Sequence, residues 1–585
     1  MAEIKYVTLD EIIADVEDKE SKMQEAPEAS ISILSTSSHV LSLAKNDNKV
    51  RILTDYDADG ICSAYILDKA LRKVNPNIDL EVHCNDRRMS YGVPKYIEAE
   101  EDAKYIVLDM GSNELDYIRN TFGKDTIIID HHLINNEADR EAFSKDPLLL
   151  NPHCFHTDDS LNAQYCATGL AYRVFECMRG ECEKQGIESL SEEVLNNTLG
   201  AMACIGTICD MVNVMDMNSR NREIIKKGLD IINNAHEENF DFIIGHTLSI
   251  CGINEQDVTA KQIGFNVGAF LNSSSRMSAI LGENGAMRMY NALTANPNNA
   301  NAYIELSKLS TLNSERKAVV ATLQDETFYE TALRERHSEG NVFVYRLPDN
   351  TPTALAGLVA SKLTDATDKA VICVALQEET QTFTGSSRNA VGNESLKLFL
   401  DNTVGGMNIK YGGHHDAVGI SGISADDFDL FVEAINENKS NLKRKEELVL
   451  LKMSPKEISA DETLSKMEHL EPLGTGLKIP PVEIIGVENE KKKDARKANN
   501  PNWKDIQLKG VTKFKAVDWG FNDANYPTNA KGEIAFLGEL EISNFRGKSV
   551  ECKVRPSRIY DAHVAELNKE QTQTKEKPKA DYGDR

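Results

Sequence analysis

The sequence lacks the features that mark several large protein classes. It has no apolar run near the roughly 20 residues that a membrane-spanning helix needs. Its first residues contain no apolar core of the kind that directs export. Its 11 Cys are an odd number without a C-x-x-C pair, which disfavours a disulfide framework. We therefore expect a protein of the reducing cytoplasm whose cysteines are packing residues.

Three common catalytic or nucleotide-binding motifs are also missing from the sequence. There is no G-x-S-x-G nucleophile elbow, no P-loop, and no G-x-G-x-x-G after a strand. The net charge of −26 argues against general electrostatic attraction to nucleic acid. It does not exclude a nuclease, because carboxylates that hold metal ions add negative charge, and the net charge does not reveal a local basic groove.

The length of 585 residues predicts several domains. Strands alternate with helices in two separate stretches, which predicts mostly parallel α/β sheets. A charged stretch, Asn436–Leu448, predicts a helix whose Lys443, Arg444 and Lys445 form a solvated face. We predict an α/β fold with two α/β domains, a helical connector between them and a small OB-like β-barrel after them. The predicted segments are a polar helical extension (1–45), the first α/β domain (46–217), the connector (218–325), the second α/β domain (326–438), the β domain (450–560) and a disordered tail (561–585).

Three predicted strands of the first α/β domain end in aspartate. These are Asp55, Asp109 and Asp130, and the last is followed by His131 and His132. Parallel strands place their carboxyl ends at one edge of a sheet, where open α/β sheets hold their sites, so we expect these side chains to converge. A buried Asp-His-His cluster with nothing to bind would be costly. The pattern predicts a polar site at this edge.

Two further segments bring carboxylates toward the same place. The run Asp55-Tyr56-Asp57-Ala58-Asp59-Gly60 spaces three carboxylates at alternate positions, where they would repel strongly without cations. The second segment is the helical run 204–210, which ends in Asp210. A capped helix start would explain Asp59 alone, and an ordinary helix end would explain Asp210 alone. Carboxylates together with imidazole indicate Mn²⁺ or Mg²⁺ rather than structural Zn²⁺. Two such ions, about 4 Å apart, are suited to phosphoester hydrolysis.

Several motifs resemble those of the DHH phosphoesterase superfamily, in order and with similar spacing. They are Asp57-Ala58-Asp59-Gly60, Leu108-Asp109, Asp130-His131-His132 and Gly206-Thr207-Ile208-Cys209-Asp210, and Gly412-Gly413-His414 resembles the glycine-His motif of the DHHA1 domain. Other stretches resemble the RecJ exonuclease branch of the superfamily. They are 87–92, 151–152, 167–169, 270–277, 357–362, 385–388 and 472–476. The resemblance extends over about residues 40–555.

The resemblance implies a role for each motif residue. Two Mn²⁺ or Mg²⁺ ions would be held by Asp57, Asp59, Asp109, His131 and Asp210, with Asp109 bridging and Asp55 as an additional ligand or neighbour. Asp130 would orient His131, and His132 would contact the scissile phosphate or donate a proton. The substrate would be bound by Asn272, Arg276, Ser387, Arg388 and His414. Two departures from the family pattern, the serines before Arg276 and His415-Asp416 after His414, concern substrate contacts and not the metal site.

The function that the resemblance implies is single-stranded-DNA-specific 5′–3′ exonuclease activity in DNA repair or recombination. Two alternatives stay open: a phosphodiesterase of oligoribonucleotides or cyclic dinucleotides, and a non-catalytic RecJ-like replication scaffold. The strand-rich segment 450–560 argues against the first, because a dinucleotide needs no docking domain; the intact motif residues argue against the second. We expect a cytoplasmic monomer that binds single-stranded DNA and no membrane. A contact with a single-strand-binding protein or another repair factor stays open.

Overall fold

The structure is a computed structural model. It describes residues 3–46, 49–89, 92–187, 189–234, 241–253, 257–413, 415–445, 447–489, 504–511, 514, 516–518, 528, 531–543, 548–555 and 557–575. Among the helices in these ranges, none combines the length and the apolar character that crossing a membrane requires. The basic run at residues 491–497 and Trp503, which the sequence offers as either a nucleic-acid contact or a solvated loop, lies outside the described residues.

The strands of the described residues are numbered in chain order. They are β1 (Glu3–Val7), β2 (Lys49–Thr54), β3 (Asp79–Cys84), β4 (Ala103–Leu108), β5 (Ile127–Ile129), β6 (Leu149–Leu150), β7 (Val342–Arg346), β8 (Ala370–Gln377), β9 (Thr382–Arg388), β10 (Lys410–Gly413), β11 (Ala417–Ser424), β12 (Glu447–Leu451), β13 (Val482–Gly486), β14 (Glu488–Asn489), β15 (Lys504–Leu508), β16 (Ala516–Asp518), β17 (Ile534–Ser543) and β18 (Ser549–Arg555).

The α-helices are numbered in the same way. They are α1 (Leu9–Glu20), α2 (Pro27–Lys45), α3 (Ala58–Val74), α4 (Leu115–Phe122), α5 (Glu137–Lys145), α6 (Ala167–Lys184), α7 (Glu193–Cys209), α8 (Asn221–Asn234), α9 (Phe242–Ile250), α10 (Ala260–Gln262), α11 (Ala269–Arg276), α12 (Ser278–Leu281), α13 (Gly285–Thr294), α14 (Ala300–Thr322), α15 (Glu326–His337), α16 (Thr353–Thr367), α17 (Leu396–Val404), α18 (Phe428–Asn438), α19 (Pro455–Ile458), α20 (Asp461–Leu470) and α21 (Arg558–Lys575). A π-helix, Ile263–Gly268, lies between α10 and α11.

The chain divides into two compact units. One comprises Asp15–Lys317 and Glu471–Lys478; the other comprises Met1–Ala14, Ala318–Leu470 and Ile479–Arg585.

The first unit is built on a five-stranded sheet with the order β3-β2-β4-β5-β6, and every neighbouring pair is parallel. The apolar run of each central strand is buried, as at Ile52, Ile106 and Ile128. Such continuous apolar runs are typical of strands covered on both faces. The α/β class predicted from the sequence is confirmed here, and its parallel strands direct their carboxyl ends to one edge.

Helices α3, α6 and α7 pack against each other beside this sheet. Their close approach depends on Gly206, since a Cβ there would lie 2.3 Å from Oγ1 of Thr168. A side chain at this position would separate α6 from α7. The contact therefore brings the start of α6 and the end of α7 toward the start of α3.

The second unit contains a mixed five-stranded sheet and an eight-stranded sheet. The first has the order β10-β11-β9-β8-β7, in which only β7 and β8 pair in parallel. The second has the order β1-β12-β13-β17-β18-β16-β15-β14. The two sheets confirm a mixed α/β fold with a strand-rich C-terminal part.

Three local predictions are wrong. Residues 3–7 are not part of a helical extension: they form β1, which pairs in parallel with β12, because strand pairing with a distant segment outweighs the local pattern. Asn436–Leu448 is not one helix, since α18 ends at Asn438 and β12 begins at Glu447. The predicted disordered tail, 561–585, is helical as far as Lys575 as part of α21, and Val564 of this helix is buried.

Candidate metal centre

Three aspartates follow three adjacent strands of the parallel sheet. Thr54 pairs with Leu108, and Leu108 pairs with Ile129, so the next residue of each strand comes to the same edge. These next residues are Asp55, Asp109 and Asp130, and all three are buried. The strand register alone therefore places three carboxylates side by side.

The segment after β2 turns directly into α3. Asp57 is the N-cap of this helix, and its Oδ1 accepts hydrogen bonds from the backbone N–H of Asp59 at 2.9 Å and of Gly60 at 3.2 Å. A Cβ on Gly60 would lie 2.6 Å from the backbone oxygen of Asp55. Glycine is therefore required by close backbone approach rather than by an unusual φ.

Asp109 lies in a left-handed backbone conformation, with φ of 59°. Its N–H still continues the ladder by donating to the carbonyl of Ile129 at 3.0 Å. Burial and then the charges of Asp59 and Asp57 raise the pKa of Asp109 well above its ordinary value. Non-glycine residues held in this conformation are strained and cluster at functional sites.

The carboxyl groups around Asp109 repel each other. Burial first, and the charge of Asp57 second, raise the pKa of Asp55 to about 8. Burial and the charges of Asp59 and Asp57 likewise raise the pKa of Asp210 well above its ordinary value. Oδ1 of Asp55 is buried and has no hydrogen-bond partner among the described residues. A bound cation would offset the repulsion between these crowded carboxylates and would provide a partner for the unpartnered oxygen.

His131 stands among these carboxylates. Its Nε2 is 3.2 Å from Oδ1 of Asp109 and 3.6 Å from Oδ2 of Asp59, and its Nδ1 is 3.8 Å from Oδ2 of Asp210. Burial, followed by the charge of His132, lowers the pKa of His131 to about 4. The ring is therefore neutral at physiological pH, which is the form that binds metal ions.

His132 is held differently. Its Nδ1 is 2.8 Å from Oδ1 of Asp130, whose other oxygen accepts the N–H of Ser112 at 2.9 Å. Burial would lower the pKa of His132, but the charge and hydrogen bond of Asp130 raise it to about 9. The adjacent histidines thus differ in charge at neutral pH, one neutral and one cationic.

Helices α6 and α7 complete the cluster. Both oxygens of Asp59 accept backbone N–H groups from the start of α6, at Ala167 and Thr168, each at 2.8 Å. Asp210 is the C-cap of α7. Among the described residues, three groups place their ligand atoms within 4.8 Å of one another. They are Asp55 with Asp57 and Asp109, Asp109 with His131 and His132, and Asp59 with Cys166 and Asp210.

The predicted substrate-binding residues fall in both units. In the first unit, Oδ1 of Asn272 accepts the N–H of Ala58 at 3.2 Å, next to the carboxylates, and Arg276 ends α11. In the second unit, Nη1 of Arg388 donates to Oγ of Ser386 at 2.9 Å, and Oγ of Ser387 donates to the carbonyl of Val418 at 2.9 Å. His414 lies outside the described residues.

Several residues at the centre were not singled out from the sequence. Cys166 belongs to one of the three ligand groups, together with Asp59 and Asp210, and its buried thiol gives no distinctive signal in the sequence. The guanidinium of Arg87 stacks 4.6 Å from the ring centre of Tyr56, and its buried Nη1 has no hydrogen-bond partner in the part of the chain that the structure describes. Asn151 donates to Oγ of Ser112 and to the carbonyl of His132, both at 2.8 Å. The sequence signal for Arg87 and Asn151 is the resemblance of the stretches 87–92 and 151–152 to the RecJ branch.

The chain matches two family models and is similar to several curated proteins. Residues 49–207 match the N-terminal domain of the DHH family, and residues 339–441 match the DHHA1 domain. The single-stranded-DNA-specific exonuclease RecJ of Bacillus subtilis is 24% identical over 534 residues, covering 88% of this chain and 62% of that protein. The RecJ of Thermus thermophilus is 24% identical over 511 residues, covering 85% and 66%. The chain thus spans less than two thirds of the length of these curated relatives.

A solved structure shows the same fold. The crystal structure of RecJ from Thermus thermophilus in complex with Mn²⁺ matches with a TM-score of 0.66 at 20% identity, covering 94% of this chain and 78% of that one. The sequence-based resemblance to the DHH and DHHA1 domains and to RecJ is confirmed. The chain therefore carries an N-terminal domain of the DHH family at residues 49–207, followed by a DHHA1 domain at residues 339–441.

Proposed function

We propose that the protein is a metal-dependent phosphodiesterase that degrades single-stranded DNA from its 5′ end. The observation that carries the proposal is the cluster of buried carboxylates and a neutral histidine at the carboxyl edge of the parallel sheet. The residue types and their order follow the motifs of the DHH domain. The single-strand specificity rests on the relatives named RecJ, and the 5′–3′ polarity rests on the family resemblance.

The donor set fits two divalent cations of the Mn²⁺ or Mg²⁺ kind. The groups that would hold them are Asp55, Asp57, Asp59, Asp109, His131 and Asp210, with Asp109 shared by two of the three ligand groups. Carboxylate oxygens with one imidazole suit these hard cations, and the unpartnered Oδ1 of Asp55 and the raised carboxyl pKa values support the fit. When bound, such cations supply Lewis-acid stabilisation and an activated water to phosphoester hydrolysis.

The residues beside the cluster would bind and position the phosphate. His132 is cationic at neutral pH and is oriented by Asp130, so it would hold a phosphate oxygen or donate a proton to the departing oxygen. Asp130 acts on the chemistry only through the histidines. Arg276 and Asn272 of the first unit, and Arg388 and His414 of the second, would contact the nucleic acid. Ser387 is fully buried and its hydroxyl is engaged with the backbone of Val418, so it would support β9 rather than contact the substrate.

Several finer features belong to the same proposal. The strand-rich part of the second unit would act as an OB-like module that receives single-stranded DNA. The protein would work in the cytoplasm as a monomer, in DNA repair or recombination. The runner-up activity, cleavage of oligoribonucleotides or cyclic dinucleotides, would need only the two α/β domains. The additional eight-stranded sheet therefore favours single-stranded DNA, the longer substrate, over a dinucleotide.

The proposal is tested with a long single strand labelled at either end, incubated with Mn²⁺ and separately with Mg²⁺. We expect the 5′ label to appear first as mononucleotide. A matched duplex and a dinucleotide serve as comparison substrates. Preferential cleavage of the dinucleotide would replace this proposal with the runner-up. Cation binding without hydrolysis of any of these substrates would favour the non-catalytic scaffold.

A further inference from the structure

Cys166 belongs to the metal cluster although no motif assigns it there. Its Sγ and oxygens of Asp59 and Asp210 lie within 4.8 Å of one another. The thiol is buried at the N-cap of α6, a helix of 18 residues. The other described groups of the cluster that could bind a cation offer nitrogen or oxygen, so Cys166 gives it a donor of different chemistry.

We infer that Asp59, Cys166 and Asp210 form a binding site for a thiophilic divalent cation such as Zn²⁺ or Cd²⁺, which competes for the cluster with Mn²⁺ or Mg²⁺. The competition rests on the proposed function, because two of the three ligands are shared with the proposed catalytic centre. A second observation points to a cation in the same cluster: the buried Oδ1 of Asp55, 3% exposed as a residue, has no hydrogen-bond partner among the described residues.

The surroundings of Cys166 can stabilise its thiolate. The N–H of Gly169 donates to Sγ at 3.3 Å, and the hydroxyl of Thr207 lies 3.8 Å from Sγ. A thiolate at this position also faces the N-terminus of a long helix, which favours negative charge. When the metal–sulfur bond forms, the thiol proton leaves to solvent, and the Thr207 hydroxyl can turn to donate to the sulfur.

The same thiol discriminates between cations. Cys166 offers a sulfur atom, whereas the two residues grouped with it, Asp59 and Asp210, offer carboxylate oxygens. Hard cations such as Mg²⁺ bind oxygen and gain little from sulfur, whereas Zn²⁺ and Cd²⁺ bind thiolate strongly. The carboxylates can therefore bind either kind of cation, whereas only a thiophilic cation is also bound by Cys166.

The test uses the full-length, reduced protein after removal of metals with EDTA. Cd²⁺ is added, and the ultraviolet charge-transfer absorbance of the cadmium–thiolate bond is followed in wild type, Cys166→Ser and Cys177→Ser. Serine keeps the N-cap of α6 and removes the sulfur. Cys177 lies on the same helix, outside the three ligand groups, and controls for the loss of a thiol.

We expect wild type and Cys177→Ser to share an absorbance component that excess Mn²⁺ suppresses, and Cys166→Ser to lack it. Persistence of that component in Cys166→Ser, or its indifference to Mn²⁺, would overturn the inference. Cadmium NMR of wild type decides independently of any variant's folding: a sulfur-ligated resonance that Mn²⁺ removes supports the site, and only oxygen-ligated resonances refute it.

An activity measurement separates this inference from the proposed function. Relative to each protein's own Mn²⁺-supported hydrolysis, Cd²⁺ should inhibit Cys166→Ser on the order of tenfold less effectively than wild type, the scale of effects on metal affinity seen when a supporting group is lost. If no protein hydrolyses DNA, the proposed function fails while the absorbance still decides the cation site. If hydrolysis occurs with equal inhibition of both proteins, the inference alone fails.

Discussion

Oδ1 of Asp130 accepts a hydrogen bond from Nδ1 of His132 at 2.8 Å, and the same carboxylate is 1% exposed. The N–H of Ser112 holds its other oxygen, so the carboxylate has a fixed orientation. This pairing keeps His132 cationic at neutral pH, whereas the preceding His131, surrounded by carboxylates but more strongly affected by burial, is neutral. The two consecutive histidines therefore differ in charge, because Asp130 pairs with His132 while burial and the charge of His132 keep His131 neutral.

Asp130→Asn should slow hydrolysis by about one to two orders of magnitude, the range found for residues that orient an active group. An amide offers His132 either a weaker acceptor or a competing donor, so the ring loses its fixed orientation and charge. Turnover and KM on a single strand are measured with Mn²⁺, and the loss is expected mainly in kcat. Asp125→Asn, at an exposed aspartate paired with Lys104, is the control. Equal activity of both variants would show that the orientation and charge of His132 do not contribute to hydrolysis.

Asp109→Asn should abolish hydrolysis and uncouple stability from divalent cations. The pKa of Asp109 is raised by burial and by neighbouring carboxylates, so its charge is unfavourable at neutral pH without a cation. The variant should therefore melt higher than wild type in EDTA. Wild type should gain about 2.7 kcal/mol from Mn²⁺ at a hundred times Kd, and the variant much less. Thermal unfolding with and without Mn²⁺ measures both effects.

A matched control exists for the backbone at this position. Asp102, an exposed turn residue just before β4, also has a left-handed φ, of 62°, and asparagine tolerates this conformation as aspartate does. Asp102→Asn should leave hydrolysis and the Mn²⁺-dependent gain in stability as in wild type. If Asp109→Asn kept the full gain, Asp109 would not be a ligand.

The parallel sheet and the convergence of its aspartates could be predicted from the sequence because both follow from short-range patterns. Apolar runs such as Ile127–Ile129 identify buried strands, and a shared edge follows from parallel pairing. The position of Cys166 could not be predicted in this way. It depends on the close packing of α6 against α7 at Gly206, a contact between segments about 40 residues apart.

Arg444 shows the same limit in the second unit. A charged stretch predicts a solvated helix, yet Nη1 and Nη2 of Arg444 donate to the carbonyl and the carboxylate of Asp368, both at 2.7 Å. The other carboxylate oxygen of Asp368 accepts the N–H of Arg558 at 3.0 Å, at the start of α21. One buried aspartate thus links α16 to two distant segments, and no local pattern in the sequence predicts such a contact.

Gly60→Ala should destabilise the protein by about 1–3 kcal/mol, as overpacking does, and strongly reduce hydrolysis. The added Cβ would clash with backbone atoms of Asp55, so this backbone must move. The carboxylates on either side of the turn would be displaced with it. Gly180→Ala on α6 is the control: among the described residues the added Cβ would meet nothing within 4 Å, and alanine should stabilise a helix interior by about 0.5–1 kcal/mol. Chemical denaturation and Mn²⁺-dependent hydrolysis compare the two. Normal activity of Gly60→Ala would show that the turn is not constrained.

The ion pair of Glu25 with Arg173 should make stability depend on acidic pH. Two hydrogen bonds of 2.8 Å join the two side chains. Burial would raise the pKa of Glu25, but the hydrogen bonds and charge of Arg173 outweigh it and lower the pKa to about 2 from an ordinary 4.5. Because the folded-state pKa is depressed, the stabilisation is complete above pH 4.5 and disappears as the pH falls toward 2.

Glu25→Gln should therefore lower the free energy of unfolding at pH 7 by about 2–3 kcal/mol, the value of this pKa shift after allowance for partial exposure. The difference from wild type should shrink as the pH falls from 4.5 toward 2, because wild type itself loses the charge. Urea unfolding of both proteins across this range measures the difference, in which other titrating groups cancel. Glu141→Gln, at an exposed glutamate paired with Lys145 on α5, should differ little from wild type at any pH. A difference for Glu25→Gln that stayed constant down to pH 2 would mean that side-chain packing, and not the carboxylate charge, stabilises the protein at this position.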